Sequence, residues 1–279
     1  MRRLRTLELS AFGLPSLLFL GVFFFYPFLE VLRFSTWHWS GFSAPKAVGL
    51  ANYRELLADP LFWQSVKATV VFALWVLPSF LVLSFLVAFL LEGQRYERAV
   101  KGILFLPGLV TVGAASTAWY TLLAPDYGAL AALFPIPAWD QDPFWAMLMV
   151  VAFSLWRYLG YGVLVVSAYL KAIPGELLEA ARVDGASPLE ATRYVVLPLL
   201  RPAALFLLVV GSVLALQSYV AVFLLTRGAP YGATRVLGYF VYQLGFENFR
   251  LGYAAAVTVV MLVLTLAVAL AQGKLLEER

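Results

Sequence analysis

The chain has 279 residues, 62% hydrophobic and only 13% charged, with a formal net charge of +4, a balance that excludes a soluble globular domain and indicates an integral membrane protein. It has no cysteine and one histidine, His38, which excludes a disulfide framework, a thiolate site and a histidine-rich metal centre. Its basic residues are scattered among apolar segments rather than gathered in a patch, so the charge reports membrane topology and not nucleic-acid binding.

Six apolar segments can be measured against the roughly 20 residues that a helix needs to cross hydrocarbon. The first, 9–29, follows the basic start MRRLR. It is too long for the apolar region of a signal peptide and no small-x-small cleavage site follows, so it is expected to remain as a span. Segments 68–91 and 102–125 are, like the first, free of charge. Segment 143–170 carries one charge, Arg157, and is long enough to span despite it. Segments 203–225 and 251–273 are again uncharged. A membrane β-barrel would alternate over segments of about ten residues. The expected fold class is therefore an all-α integral membrane protein, a single domain over 1–279 with six transmembrane helices.

Sorting the connections alternately to two sides places Arg2, Arg3, Arg5, Arg95, Arg98, Lys101, Lys171, Arg182, Arg193, Arg201, Lys274 and Arg279, twelve in all, with the termini. The other side receives seven: Arg33, Lys46, Arg54, Lys67, Arg227, Arg235 and Arg250. The excess predicts that both termini are cytoplasmic.

On that side the longest connection is 171–201. It contains EAARVDGASPLEATRYVVLPLLRP, residues 179–202, charged and punctuated where its surroundings are neither. Pro174 suits a first helical turn, Glu176 and Glu179 favour an N-terminal half, and Gly185 supplies a break. Ser187, Pro188 and Glu190 read as a capping box that opens a second helix, and Pro198 and Pro202 are expected to end it before the membrane. The reading is two short cytoplasmic helices around a glycine, with a small-residue surface at Ala180, Ala181 and Ala186 that permits close approach by another protein. The plainer alternative is an amphipathic helix lying on the membrane surface.

The order IPGELLEAARVDGASPLEATRYVVLPLLRP resembles the EAA loop of permease subunits in binding-protein-dependent ABC importers. Glu179, Ala180, Ala181, Asp184, Gly185, Ala186, Leu197, Pro198 and Pro202 fall at matching places, while Thr192 stands where the family usually has an aromatic residue. GLANYRELLADPLFW (49–63) and RAVKGILFLPGLV (98–110) are similar to the first external loop and the approach to the third span of sugar-type permeases. LLTRGAP (224–230) is similar to their L-T-x-G-G-P element, with Ala229 in place of the second glycine.

The resemblance implies a multi-pass subunit of a prokaryotic cytoplasmic membrane that imports a sugar, polyol or sugar phosphate. Its implied partners are a second permease, expected to be a homologous heterodimer partner, two ATPase subunits, an external substrate-binding protein and membrane lipid, with no nucleic acid. In that family Glu179, Ala180, Ala181, Asp184, Gly185 and Ala186 belong to the helix that couples to the ATPase. The chain has no G-x-x-x-x-G-K-[ST] run, so no cofactor is expected on it, and ATP and Mg belong to the partner ATPase. Paired carboxylates or a serine, histidine and aspartate set are absent from its apolar segments, so no catalytic residue and no metal site is expected and the chain reads as a transport subunit, not an enzyme.

The alternative is an ion-coupled secondary transporter of a small polar solute. Proline-interrupted spans, such as those with Pro15, Pro27, Pro78 and Pro107, keep this alternative open, but the uncharged spans offer no acidic coupling site. Candidate pathway residues are Gln217, Ser218 and Tyr219 deep in the fifth span, where helix-to-helix hydrogen bonding is the equal alternative. Trp119, Tyr120, Tyr158 and Tyr161 offer ring faces to a sugar, although aromatics at helical spacing more often pack. Arg157, near the bilayer midplane, needs carbonyls, neutral polar groups such as Gln217, the second permease or the cargo itself to compensate it.

Overall fold

The structure, a computed structural model, describes residues 13–130 and 132–277. Helix α1 (Gly13–Phe34) overlaps the first expected span; positions 9–12, Arg2, Arg3, Arg5 and Arg279 lie outside the described residues. Inside α1 the backbone widens over Gly21–Phe25 into a π-helical turn closed by Tyr26 N–H on Gly21 O. Pro27 is the physical cause, because it has no N–H for the Phe23 carbonyl and its ring crowds it.

A short antiparallel pair, β1 (Trp37–His38) with β2 (Lys46–Ala47), and helix α2 (Ala51–Ala58) follow. Then come α3 (Pro60–Leu91), α4 (Glu97–Leu109), α5 (Val112–Leu123) and α6 (Pro143–Lys171). The remaining helices are α7 (Gly175–Val183), α8 (Pro188–Leu199), α9 (Arg201–Leu216), α10 (Val220–Leu225), α11 (Leu237–Tyr242) and α12 (Leu251–Glu277). Among the described residues four unbroken helices, α1, α3, α6 and α12, are long and apolar enough to cross a membrane. The number becomes six if each bent pair is one crossing: α4 with α5, bent by 99°, and α8 with α9, bent by 56°.

These bends are not visible in hydropathy. Segment 102–125 does not form one straight helix, because Val110 and Thr111 are extended, and Thr111 Oγ1 caps α5 by accepting from Ala114 N–H at 3.4 Å. Segment 203–225 is likewise interrupted: α9 ends at Leu216, and α10 starts only after Tyr219, which has φ −129° and ψ −39°. The backbone of α11 lies against that interruption, and a β-carbon on Gly238 would come 3.1 Å from Ser218 O. Irregular backbone at membrane depth is tolerated where protein or a cavity adjoins it. Nor do the prolines end the second loop helix where expected, since α8 runs through Pro198 to Leu199. A π-helical turn over Thr192–Val196, closed by Leu197 N–H on Thr192 O, accommodates the ring, the same device as ahead of Pro27.

The residues form two compact units. In the unit containing residues up to Pro60 and Val241–Val263, polar side chains tie the segments together. Asn52 donates to Ser35 O at 2.9 Å and Trp37 O at 2.8 Å, Arg250 pairs with Glu55 at 2.6 Å, and Tyr253 donates to Asp59 at 2.7 Å.

In the unit comprising Leu61–Phe240 with the end of α12, Phe80 and Ala88 of α3, Val163 and Val166 of α6, and Leu200 and Leu207 form one core. A second joins Ala115, Trp139, Phe153, Ala221 and Leu225. Helices α4 and α6 approach so closely at Gly160 that a β-carbon there would overlap the Leu104 carbonyl, the small-residue packing that brings membrane helices together. Gly160→Val is therefore expected to destabilise the protein by about 1–3 kcal/mol. Gly273→Ala, with nothing within 4 Å, should not. Thermal midpoints in detergent check this, and an unchanged midpoint for Gly160→Val would remove the close packing.

Candidate functional site

Two places gather the chemistry singled out in the sequence. The first is the loop 171–201. Helix α7 ends in a Schellman arrangement: Gly185 has φ +82°, its N–H donates to Arg182 O at 3.1 Å, and Ala186 N–H donates to Ala181 O at 2.9 Å. Helix α8 begins immediately with the full capping box. Ser187 N–H donates to Glu190 Oε2 at 2.8 Å, and Glu190 N–H donates to Ser187 Oγ at 3.3 Å. The Ser187 hydroxyl and backbone N–H hold the Glu190 carboxyl below the usual carboxylate range, so it is ionised at neutral pH.

Glu179, Ala180, Asp184 and Gly185 are exposed, and Ala181 and Ala186 half-buried, so this geometry brings the six predicted residues to one surface turn. Sequence reasoning missed two neighbours. Val183 is 88% and Leu189 78% exposed, apolar side chains held in the open on either side of Gly185. Their signal was present, as apolar positions flanking the glycine in an otherwise charged stretch.

The second place is around Arg157. It lies midway along α6, roughly 21 Å from each end at 1.5 Å per residue. Its Nη1 donates to Pro107 O at 3.1 Å and Val110 O at 2.6 Å, carbonyls freed where α4 breaks from α5. The C-terminal end of a helix favours a cation. Arg157 enters no salt bridge among the described residues, and its Nε is buried with no hydrogen-bond partner.

Beside it opens a cavity of about 190 Å³ whose walls include Ser154, Arg157, Tyr158, Gln217, Ser218 and Tyr219. The interruption between α9 and α10 is what turns Gln217, Ser218 and Tyr219 to this space. Ser154, one turn before Arg157 on the same face, was legible only once that face was known. Trp119 and Tyr161 are not walls of this cavity. Trp119 packs edge-on to Phe153 at 5.5 Å, Tyr120 edge-on to Trp139 at 5.7 Å, and Tyr161 against the core around Phe80 and Val163.

Residues 61–278 match the family described as binding-protein-dependent transport system inner membrane component. The chain belongs to this family. The permease is 34% identical over 280 residues to the sn-glycerol-3-phosphate transport system permease protein UgpA of Agrobacterium fabrum, covering 95% of this chain and 93% of the relative. Its fold is similar to that of a bacterial ABC transporter involved in import of the acidic polysaccharide alginate, at TM-score 0.82 and 22% identity, over 97% of this chain and 95% of the other. A bacterial alginate ABC transporter in complex with an alginate pentasaccharide-bound periplasmic protein matches at TM-score 0.80 and 22% identity, over 96% of this chain and 93% of the other.

Membership decides between the two mechanisms open at the level of sequence: the permease is the membrane-spanning, multi-pass inner-membrane subunit of an ATP-driven importer, not an ion-coupled transporter. ATP hydrolysis belongs to a separate subunit. Among the described residues no group of three or more His, Cys, Asp or Glu is placed to hold a metal ion.

Proposed function

We propose that the permease passes a sugar, polyol or sugar phosphate from an external binding protein into the cytoplasm, and that the turn at Gly185 is the point where its partner ATPase pushes. Both termini and the loop 171–201 face the cytoplasm, as the excess of basic residues there supports. The assembly consists of this chain, a homologous second permease, two ATPase subunits that carry ATP and Mg, and the external binding protein. Similarity to a permease for sn-glycerol-3-phosphate and to the fold of an alginate importer supports the substrate class. Arg157, Gln217, Ser218 and Tyr219 line the path of the cargo, with Tyr158 offering a ring face. Trp119 and Tyr161 support that path by packing.

One observation carries the coupling role: Val183 and Leu189 stand exposed around a rigid, capped turn. Apolar side chains held in the open by satisfied backbone form a preorganised docking point. Val183→Asp with Leu189→Asp should leave membrane insertion and thermal midpoint unchanged, since neither side chain is packed. Retention of the ATPase on purification, and uptake in vesicles, should both fall at least about ten-fold. Should the turn instead lie in the lipid surface, the pair would impair membrane integration while ATPase retention by the inserted fraction stayed normal.

A further inference from the structure

We propose that the groove between the start of α4 and the end of α6 binds the headgroup of an anionic phospholipid. The groove has a volume of about 800 Å³ and its walls include Arg95, Arg98, Lys101, Lys171, Phe105 and Leu164. Its charge is unbalanced. Glu97 holds Lys101 and Lys171, each at 2.6 Å, and Glu92 comes no nearer to Lys101 than 4.0 Å. Arg95 and Arg98 are exposed and enter no salt bridge among the described residues. Four cations thus surround one shared carboxylate in the groove wall, an arrangement that favours a ligand bringing several anionic oxygens.

The groove is also two-ended. Leu164 precedes Lys171 by seven residues and Phe105 follows Lys101 by four, so the backbone positions of the apolar walls lie roughly 10 Å and 6 Å further along their helices than those of the two lysines. A free anion satisfies the basic end and leaves the apolar end without a function. A phospholipid satisfies both, its phosphate among Arg95, Arg98 and Lys171 and its acyl chain along Phe105 and Leu164, as expected of basic pockets between membrane helices at the bilayer surface.

Native mass spectrometry of the full chain, purified in neutral detergent, tests this with phosphatidylglycerol and phosphatidylcholine of matched dioleoyl chains. One phosphatidylglycerol should be retained at least ten-fold more tightly than phosphatidylcholine. Arg95→Gln with Arg98→Gln should weaken that retention roughly 25-fold, about five-fold for each charge removed, and Arg95→Lys with Arg98→Lys should preserve it. Arg193→Gln, outside the groove, should change nothing. Equal retention of the two lipids, or an unchanged affinity in the double glutamine variant, would overturn the proposal. So would displacement of phosphatidylglycerol by millimolar inorganic phosphate, which would make the groove a site for a soluble anion.

Discussion

Replacing Gly185 with valine should leave the permease inserted at its normal level while cutting both ATPase retention and uptake roughly ten-fold or more, the consequence of losing about 1.4 kcal/mol at the contact. Nothing lies within 4 Å of where a β-carbon would stand, so no clash opposes the substitution. The obstacle is the backbone itself. At φ +82° a β-branched residue is strained against the adjoining backbone, which costs about 1–2 kcal/mol. The turn relaxes away from that conformation, the bonds from Gly185 to Arg182 O and from Ala186 to Ala181 O are lost, and Val183 and Leu189 no longer stand at a fixed spacing. Gly185→Asn, which tolerates the left-handed region, should retain most activity. Co-purification with the ATPase and uptake by inverted and right-side-out vesicles give the two readouts. Normal import by the valine variant would mean that force does not enter through this turn.

That prediction was available before any coordinates, because the turn is written in local chemistry. A serine, a proline and a glutamate at Ser187, Pro188 and Glu190 specify a helix start whatever surrounds them, and Gly185 just after a helical stretch specifies a left-handed cap. The permease family could be read for the same reason, from residue order in a loop that carries its own stereochemistry. Other features depend on partners distant in sequence. Val110 and Thr111 are unremarkable in hydropathy, and the 99° bend that they allow is held by Arg157, 47 residues onward from Val110. The break at Gln217 is equally silent, since Leu216 to Tyr219 could continue a helix until Gly238 occupies the adjoining space. The aromatics show the same limit from the other side: Trp119 and Tyr158 have equivalent character in the sequence, yet one packs on Phe153 and the other lines the cavity. What separates them is the neighbour that each meets in the fold.

Arg157→Met should abolish most uptake while the chain still inserts and assembles. Charge at the middle of a span costs at least about 3 kcal/mol on insertion scales, so its removal favours insertion. Against that gain stand Pro107 O and Val110 O, which both lose their donor; each hydrogen bond to a charged group is worth about 1.5 kcal/mol. The two nearly cancel, so the thermal midpoint should move by only a few degrees. Uptake follows a different ledger, because the guanidinium holds the α4–α5 bend through both carbonyls, and Arg157 stands in the cavity wall with Gln217, Ser218 and Tyr219. Methionine fills the volume and supplies neither the bend's donor nor a cation for hydroxyl or phosphate oxygens, so uptake should fall by at least about two orders of magnitude, the equivalent of roughly 3 kcal/mol. Arg157→Lys separates the contributions. A single ammonium keeps the charge but cannot span two carbonyls and the cavity together, so partial uptake is expected, better preserved for a phosphorylated cargo than for a neutral one. Binding-protein-dependent uptake in vesicles, with assembly followed by co-purification, makes the comparison. Failed assembly of the methionine variant would assign Arg157 to the bend alone, and undiminished uptake would take it out of the path.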